Sequence, residues 1–287
     1  MTVYNLGSIN IDHVYRVPHI PAPGETLAAS AHATGLGGKG ANQSVAVARA
    51  GARAVHVGAV GVEGGPWVEH LQGFGVETRV AEVEEATGHA NICVDKAGEN
   101  MIVIFPGANL KQSLTHLETA LADAQEGDFL LLQNETNLGR EAAGLARAKG
   151  MRVVYSAAPF SVEAVQEMLP DTDLLVMNEV EAAQLQSALG NFALPDRLIT
   201  RGAKGVIWLG PEEISLPAFA VTPVDTTGAG DCFIGTFVAG LDQGLDLPKA
   251  LRLGQAASAI QVTRPGTADA IPTRAETDAF LDRQEAK

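Results

Sequence analysis

Regular alternation of short apolar runs with helical patterns, from residue 127 to about 200, constrains the fold more than any other feature. The apolar runs are predicted strands at 129–132, 153–155, 174–177 and 197–200. Helices are predicted near 138–149, 161–168 and 180–189. Strands that alternate with helices form a parallel sheet covered on both faces. The sequence therefore predicts an α/β fold with a three-layer α/β/α arrangement around a mainly parallel central sheet.

Polar residues stand where these predicted strands end. They are Glu135, Ser156, Asn178 with Glu181, and Thr200 with Gly202 and Gly205. Each of them alone would be an ordinary helix cap or loop residue. Ligands of parallel sheets bind at the carboxyl ends of the strands, so their common placement predicts a binding site at that edge.

The first hundred residues are less regular. An apolar strand is predicted over 3–11, with Asn10 and Asp12 spaced to point to the same side. Residues 13–34 contain three prolines and are predicted as an irregular or edge-strand excursion. A strand at 52–61, a helix at about 64–73 and a β-hairpin at 87–105 follow. Segments 12–36 and 87–105 are predicted to form a small sheet outside the main domain that covers the site as a lid.

A glycine-rich turn joins an apolar strand, predicted to begin at Val221, to a helix with Phe233 and Phe237 on one face. Gly228, Ala229 and Gly230 would direct backbone N–H groups and the positive helix end at one point, which favours a bound anion. Asp231 follows at once. It either caps the helix, as aspartate often does, or serves as a base beside a bound phosphate.

A second glycine-rich loop, Gly35 to Asn42, contains the spacing of the dinucleotide fingerprint at Gly35, Gly37 and Gly40. The context excludes that motif, because more than 20 residues separate the loop from the first strand and no acidic residue lies at 52–62. It is not a P-loop either, since Gly40 follows Lys39. The loop would suit a small polyhydroxylated ligand.

Charge and composition exclude several classes of protein. The chain of 287 residues has a net charge of −14, which disfavours nucleic acid and anionic membranes as partners. Neither a signal peptide nor an apolar run long enough to span a membrane is present, so a cytoplasmic protein is expected. Two distant cysteines predict neither a disulfide nor a zinc site.

Near the carboxyl terminus, a helix over 247–262 rich in small residues leads into a loop over 263–270. Arg264 in this loop could contact a phosphate. The turns and carbonyl groups of the loop are equally suited to hold a cation.

Taken together, these segments resemble the ribokinase family of ATP-dependent carbohydrate kinases, also called PfkB carbohydrate kinases. The resemblance rests on segments spread over nearly the whole chain: 7–12, 23–26, 37–42, 106–109, 178–181, 200–205, 225–231 and 262–266. It implies one ribokinase-like domain over 1–287 with a small β lid, through which homodimers commonly form. It also implies transfer of the γ-phosphoryl group of ATP to the primary hydroxyl of a small sugar, with ribose to ribose 5-phosphate as first choice.

The resemblance also assigns roles to residues. Asp231 would be the catalytic base, and the N–H groups of Gly228, Ala229 and Gly230 would stabilise the transferred phosphoryl group. The sugar would contact Asn10, Asp12, Gly38, Lys39, Asn42, Glu135 and Asp231. The nucleotide would contact Asn178, Thr200, Gly202, Gly205, Gly230 and Gln255.

Two cations are implied as well. Asn178 and Glu181 would hold Mg²⁺ through water. Potassium would bind beside the turn, partly through backbone atoms, at Asp225, Thr227, Gln261, Arg264, Gly266 and Ala270.

Three departures from the family pattern qualify these expectations. Ser156 begins Ser-Ala-Ala-Pro where the family favours Asn-Pro-Ala-Pro, and Gln261 replaces a smaller residue in the cation loop. Segment 182–199 is too short for a helix usually found there. Another sugar or a nucleoside remains the alternative substrate, and a non-catalytic sugar or nucleotide sensor is a third hypothesis, which the intact Asp231 disfavours.

Overall fold

A computed structural model describes residues 1–190 and 195–285. Nine strands form the central sheet in the order β13-β12-β11-β10-β9-β8-β1-β4-β5. Their bounds are β1 Thr2–Leu6, β4 Arg53–Val60, β5 Glu77–Glu82, β8 Phe129–Gln133, β9 Arg152–Ser156, β10 Leu174–Asn178, β11 Asp196–Thr200, β12 Val206–Leu209 and β13 Glu213–Leu216. All neighbours pair in parallel except β11 with β12 and β12 with β13. The predicted mainly parallel sheet is confirmed.

Helices cover both faces of this sheet. Their bounds are α1 Lys39–Arg49, α2 Gly65–Gly73, α3 Leu114–Ala120, α4 Gly139–Ala148, α5 Val162–Met168, α6 Glu179–Leu189, α7 Ala229–Asp242, α8 Leu247–Gln261 and α9 Arg274–Glu285. Consecutive residues of β1 show the two layers: Val3 packs into a cluster with Val45 and Phe237, and Tyr4 packs into another with Leu117. Side chains alternate across a strand, so each face of the sheet has its own apolar core. The three-layer α/β/α class is thereby confirmed.

A separate four-stranded sheet contains the remaining strands in the order β3-β2-β6-β7. Their bounds are β2 Asn10–Arg16, β3 Ala31–Gly37, β6 Gly88–Val94 and β7 Asn100–Phe105. Strands β6 and β7 form the predicted antiparallel hairpin, and β3 is an edge strand. The strands of the small sheet therefore come from residues 10–37 and 88–105.

Two strand predictions are wrong. The strand expected over 3–11 is two strands, β1 and β2, in different sheets. The chain leaves the central sheet at Gly7, which packs against Gly40 so closely that a side-chain carbon there would collide. The strand expected from Val221 is a loop in the structure, because Pro217 and Pro223 lack N–H donors and the N–H groups of Val224 and Asp225 both donate to the Val262 carbonyl.

Three strands had no counterpart in the sequence prediction, namely β5, β12 and β13. Strand β5 forms one edge of the central sheet, and β13 with its neighbour β12 forms the other. Partial exposure at these edges weakens the apolar pattern. Of the short segment at 182–199, residues 191–194 lie outside the described part of the chain. Within the described part, α6 ends at Leu189 and β11 begins at Asp196.

Candidate active site

Asp231 lies in the first turn of α7, directly after the glycine turn. Gly228 precedes the helix with φ 74°, a left-handed conformation that favours glycine. The N–H of Ala229 donates to the Thr226 carbonyl at 3.2 Å. Among the described residues, the N–H groups of Gly228 and Gly230 have no such partner and remain available to an anion. The predicted anion cradle, formed by the N–H groups of Gly228, Ala229 and Gly230, thus keeps two of its three donors.

Two side-chain amides from α1 hold the Asp231 carboxylate. Gln43 Nε2 donates to Oδ1 at 3.0 Å, and Asn42 Nδ2 donates to Oδ2 at 3.3 Å. Burial raises the pKa of Asp231 to about 6, although Lys39 and both amides favour the ionised form. A carboxylate with a pKa near neutrality can accept a proton from an alcohol as a phosphoryl group departs to it.

A chain of buried amides leads away from Gln43. Gln133 Nε2 donates to Gln43 Oε1 at 2.8 Å and to Asn5 Oδ1 at 2.9 Å. Asn5 Nδ2 donates in turn to the Gly40 carbonyl at 2.8 Å and to Ser44 Oγ at 2.9 Å. Because a carbonyl oxygen only accepts, Gly40 fixes which end of each amide is the donor. This chain of amides therefore determines that Gln43 directs its Nε2, and not its Oε1, towards Asp231.

Lys39 and Glu135 form the polar wall opposite the turn. Glu135 Oε2 accepts the Lys39 backbone N–H at 3.0 Å and the Ser8 hydroxyl, and Oε1 lies 3.7 Å from Lys39 Nζ. The pKa of Lys39 is raised, because burial is outweighed by Asp231, Glu135 and Glu181. Lys39 thus provides a cation that pairs with Glu135 and that is also stabilised by the charges of Asp231 and Glu181.

Asp12 reaches the same wall from the small sheet. Burial raises the pKa of Asp12 to about 6, Glu135 adds to this effect and Lys39 opposes it. Gly37, on the neighbouring strand β3, leaves room for the Asp12 carboxylate, since a side-chain carbon at Gly37 would collide with it. The small sheet therefore contributes a carboxylate to the site.

The remaining predicted sugar residues also lie here. Asn10 Oδ1 accepts from Asn109 Nδ2 at 2.8 Å, which leaves its amide nitrogen available. Asn42 Oδ1 is buried and has no partner among the described residues. Gly38 precedes α1 with φ 94°, and a side-chain carbon at Gly38 would meet the Ser8 carbonyl at 2.8 Å. The site therefore presents amides, carboxylates and an ammonium group.

A cavity of about 620 Å³ opens beside the glycine turn. It contains five of the six residues predicted for the nucleotide, and Asn178 is the exception. The five are Thr200, Gly202, Gly205, Gly230 and Gln255. Its other wall is mostly apolar and includes Phe219, Val221, Ala259 and Val262. An apolar cavity that ends at an anion cradle fits an aromatic base attached to phosphates.

Asn178 and Glu181 cap α6. Asn178 Oδ1 accepts the N–H groups of Val180 and Glu181 at 2.9 Å, and Glu181 Oε2 accepts the Asn178 N–H at 2.8 Å. Glu181 Oε1 is the carboxylate oxygen that this capping leaves over. Burial raises the pKa of Glu181, with Lys39 opposing it. This donor set fits Mg²⁺ only through bound water and the Glu181 carboxylate.

The loop predicted to hold potassium is occupied by nitrogen donors. Gln261 Nε2 donates to the Thr227 carbonyl at 2.8 Å and to the Gly266 carbonyl at 3.4 Å. Arg264 Nη1 donates to the Ala270 carbonyl at 3.4 Å. These oxygens would have to serve as cation ligands, so the donor set does not fit K⁺.

Sequence reasoning missed several residues of the site. Ser8, Gln43 and Gln133 support Glu135 and Asp231, and Arg252 lies 3.7 Å above the Phe219 ring at the apolar cavity. Gln43 follows Asn42 directly and could have been found as a second amide in the first turns of the same helix. Arg252 had no sequence signal.

Comparisons with known proteins point to a single family. The family model described as pfkB family carbohydrate kinase matches residues 2–274. A ribokinase from Haemophilus influenzae is 39% identical, with 98% of each chain covered.

Solved structures give the same result. A ribokinase from Cryptococcus neoformans in complex with ADP has a TM-score of 0.83 and 34% identity, with 98% of this chain and 99% of the other covered. An Arabidopsis thaliana ribokinase complexed with ribose and ATP has a TM-score of 0.86 and 27% identity, with 98% of each chain covered.

Proposed function

The chain belongs to the pfkB family of carbohydrate kinases, and from that premise we propose that it transfers the γ-phosphoryl group of ATP to the 5-hydroxyl of ribose. The observation that carries the proposal is the position of Asp231. Asp231 lies in the first turn of α7, and its carboxylate accepts hydrogen bonds from Asn42 and Gln43. The preceding residue is Gly230, whose N–H has no partner among the described residues.

In the proposed reaction, the sugar lies against Lys39, Glu135, Asp12 and Asn42. Its primary hydroxyl points towards Asp231, which takes the proton as the oxygen attacks phosphorus. The bond from phosphorus to the ADP oxygen breaks, and the N–H groups of Gly228 and Gly230 stabilise the charge on the phosphoryl oxygens. Lys39 compensates the charge of the surrounding carboxylates.

The nucleotide would occupy the cavity of about 620 Å³ with its phosphates at the glycine turn. Magnesium, when bound with the nucleotide, would neutralise phosphate charge. Glu181 would orient its water ligands through Oε1, because only Oε2 accepts the Asn178 N–H. Monovalent-cation activation is not included in this proposal, because amide and guanidinium donors occupy the predicted ligand oxygens.

Polar groups around the sugar favour a polyhydroxylated, unphosphorylated substrate. A buried site that hydrogen-bonds hydroxyls rejects analogues that lack them, because its own polar groups are then left unpaired. A separate observation disfavours nucleosides. Segments 7–12, 37–42 and 133–135, which contain most of the predicted sugar residues, have no aromatic residue that could stack against a base.

The small sheet supports two further elements of the proposal, a lid over the sugar and a dimer. Strand β7 lies at its edge, and Met101 to Phe105 are 37% to 56% exposed. An exposed apolar edge strand favours association. We expect a homodimer by light scattering, and Val103→Lys should shift it towards monomer.

Location is also part of the proposal. Across residues 1–190 and 195–285, no helix combines the length and the apolar character that crossing a bilayer requires. We infer an enzyme that works in the cytoplasm as one ribokinase-like unit over 1–287.

Asp231→Asn tests the proposed function. The substitution keeps shape but removes the base, so kcat for ribose should fall by about a hundredfold or more while ATP binding is retained. ADP release measured over pentoses, hexoses and nucleosides gives the activity, and calorimetry gives the ATP affinity. Turnover of Asp231→Asn near that of the parent would show that Asp231 is not the base.

A further inference from the structure

Oxygen atoms converge beside the glycine turn, between residues 225–228 and the loop that follows α8. They are the carbonyl oxygens of Thr227 and Gly266, which share the Gln261 amide nitrogen as donor. The Ala270 carbonyl accepts from Arg264 of the same loop. Asp225 borders the same place, and its carboxylate accepts the N–H groups of Thr227 at 2.9 Å and Gly266 at 3.1 Å. Converging backbone carbonyls are the usual ligands of a potassium ion.

Nitrogen donors lie at this point of convergence. The two hydrogens of Gln261 Nε2 serve the Thr227 carbonyl at 2.8 Å and the Gly266 carbonyl at 3.4 Å. The Gln261 side chain is fully buried at 0% exposure. A primary amide nitrogen between two carbonyl oxygens takes the position that a cation would need.

The orientation of the Gln261 amide is fixed by its neighbours. Carbonyl oxygens only accept hydrogen bonds, so the nitrogen must face them. Gln261 Oε1 is buried and has no partner in the described ranges. Turning the amide over would bring this oxygen against two carbonyl oxygens, which is electrostatically unfavourable.

We propose that the Gln261 amide replaces a monovalent cation in this chain and orders the turn at 225–228 without one. Thr227 immediately precedes Gly228, so the hydrogen bond to its carbonyl connects the end of α8 to the start of α7. Ser258 Oγ adds a second connection, since it donates to the Ala229 carbonyl at 3.1 Å. The geometry of the anion cradle therefore depends on side chains of α8 and not on dissolved salt.

The test has two measurements, the rate of ribose phosphorylation and Tm. The rate measurement rests on the proposed kinase function, whereas the Tm measurement does not. Rates of ribose phosphorylation and Tm are measured in KCl, NaCl and choline chloride at matched ionic strength, for the parent, Gln261→Ala and Gln112→Ala. Gln112 is the matched control, because it is also buried, lies outside this loop and has no side-chain hydrogen bond within residues 1–190 and 195–285.

We expect the parent to have the same rate and Tm in all three salts. In Gln261→Ala the two carbonyls lose their donor, so the rate in choline should fall by about tenfold, the scale of one lost hydrogen bond. Potassium should then restore much of the rate and raise Tm. Gln112→Ala should show no response to K⁺ in either measurement.

Activation of the parent several-fold by K⁺, or an unchanged K⁺ response in Gln261→Ala by both rate and Tm, would overturn the proposal. Folding of Gln261→Ala only in the presence of K⁺ would support it. If Gln261→Ala folds in none of the three salts, the rates and Tm values of the parent in those salts decide whether the proposal holds. Failure of the parent to phosphorylate any sugar would count against the proposed function, while the Tm comparison would still test the role of Gln261.

Discussion

Gln43 Nε2 donates a hydrogen bond of 3.0 Å to Asp231 Oδ1, across 188 positions of sequence. Both residues are buried, and Gln43 has no solvent-exposed surface. The bond stabilises the ionised carboxylate and fixes its direction. Gln43 is thus a positioning residue, since it acts through Asp231.

Gln43→Met should lower kcat by about tenfold or more, because a hydrogen bond to a charged group contributes roughly 1.5–3 kcal/mol. Values of KM for ribose and ATP should change little. Losing the donor also disfavours the carboxylate, so the acid limb of the pH profile should move to higher pH. Gln112→Met, with the same change at another buried glutamine, should behave as the parent. If Gln43→Met has the pH profile of the parent while Asp231→Asn is inactive, Gln43 does not position the base, although Asp231 remains the base.

Catalysis should fail at mildly acidic pH. Burial raises the pKa of Asp231 to about 6. A base must be ionised, so kcat should fall about tenfold for each pH unit below that value. Asp12 also has a pKa raised to about 6 by burial, with Glu135 adding to the effect and Lys39 opposing it.

Asp12→Asn separates the two carboxylates. At saturating ribose the variant should keep the acid limb of kcat, since that limb belongs to Asp231. Loss of the acid limb in Asp12→Asn would show that protonation of Asp12, and not of Asp231, causes it.

His56 should make folding stability depend on pH. It is buried at the end of the amide chain, where its Nδ1 lies 2.9 Å from Ser44 Oγ, and burial lowers its pKa to about 4 from a model-peptide value of 6.5. Below pH 6.5 the unfolded chain takes up a proton that the folded chain does not bind until about pH 4. Stability therefore falls as pH falls through this window, by about 2 kcal/mol between pH 7.5 and 5.

His56→Phe should remove this part of the pH dependence. Urea unfolding at pH 7.5 and pH 5 measures it, and the difference between the two free energies should shrink by about 2 kcal/mol. The exposed His19, changed to Phe, is the control. Equal pH dependence in His56→Phe and the parent would show that His56 is not the responsible group.

The sequence predicted the layers of the fold because strand and helix periods are local properties. It also located Asp231, Lys39 and Glu135, since glycine turns and strand ends have recognisable patterns. It could not predict the amide chain, because Asn5, Gln133 and Gln43 meet only after folding. Gln261 stood out in the sequence as unusual, yet the direction of its amide required the positions of two carbonyls.

Arg252 should affect ATP binding and little else. Its guanidinium lies 3.7 Å from the centre of the Phe219 ring and donates to the Pro217 carbonyl at 2.9 Å. Both contacts hold the apolar wall of the nucleotide cavity. A cation–π contact contributes about 0.5–2 kcal/mol, so Arg252→Met should raise KM for ATP several-fold at unchanged kcat. Arg152, which lies 4.9 Å from the Phe129 ring, is the matched control. A change in KM for ribose in place of ATP would contradict this role.

Substrate recognition should depend on the absence of a side chain at Gly37. A side-chain carbon there would collide with the Asp12 carboxylate, whereas at Gly35, on the same strand, it would meet open space. Gly37→Ala should therefore displace Asp12 and raise KM for ribose by about tenfold, the scale of one lost charge-assisted hydrogen bond. Gly35→Ala should leave it unchanged.

The same assays decide which sugar is preferred. Ribose should exceed 2-deoxyribose, hexoses and nucleosides in kcat/KM by at least about tenfold, since a missing or misplaced hydroxyl leaves buried amides and carboxylates unpaired. Gly37→Ala should reduce the ratio of kcat/KM for ribose to that for the other substrates, because the displaced Asp12 no longer requires a hydroxyl partner. A hexose or nucleoside preferred over ribose by about tenfold, or 1.4 kcal/mol in transition-state binding, would assign the site to another substrate. Preserved discrimination in Gly37→Ala would show that Asp12 does not contact the sugar.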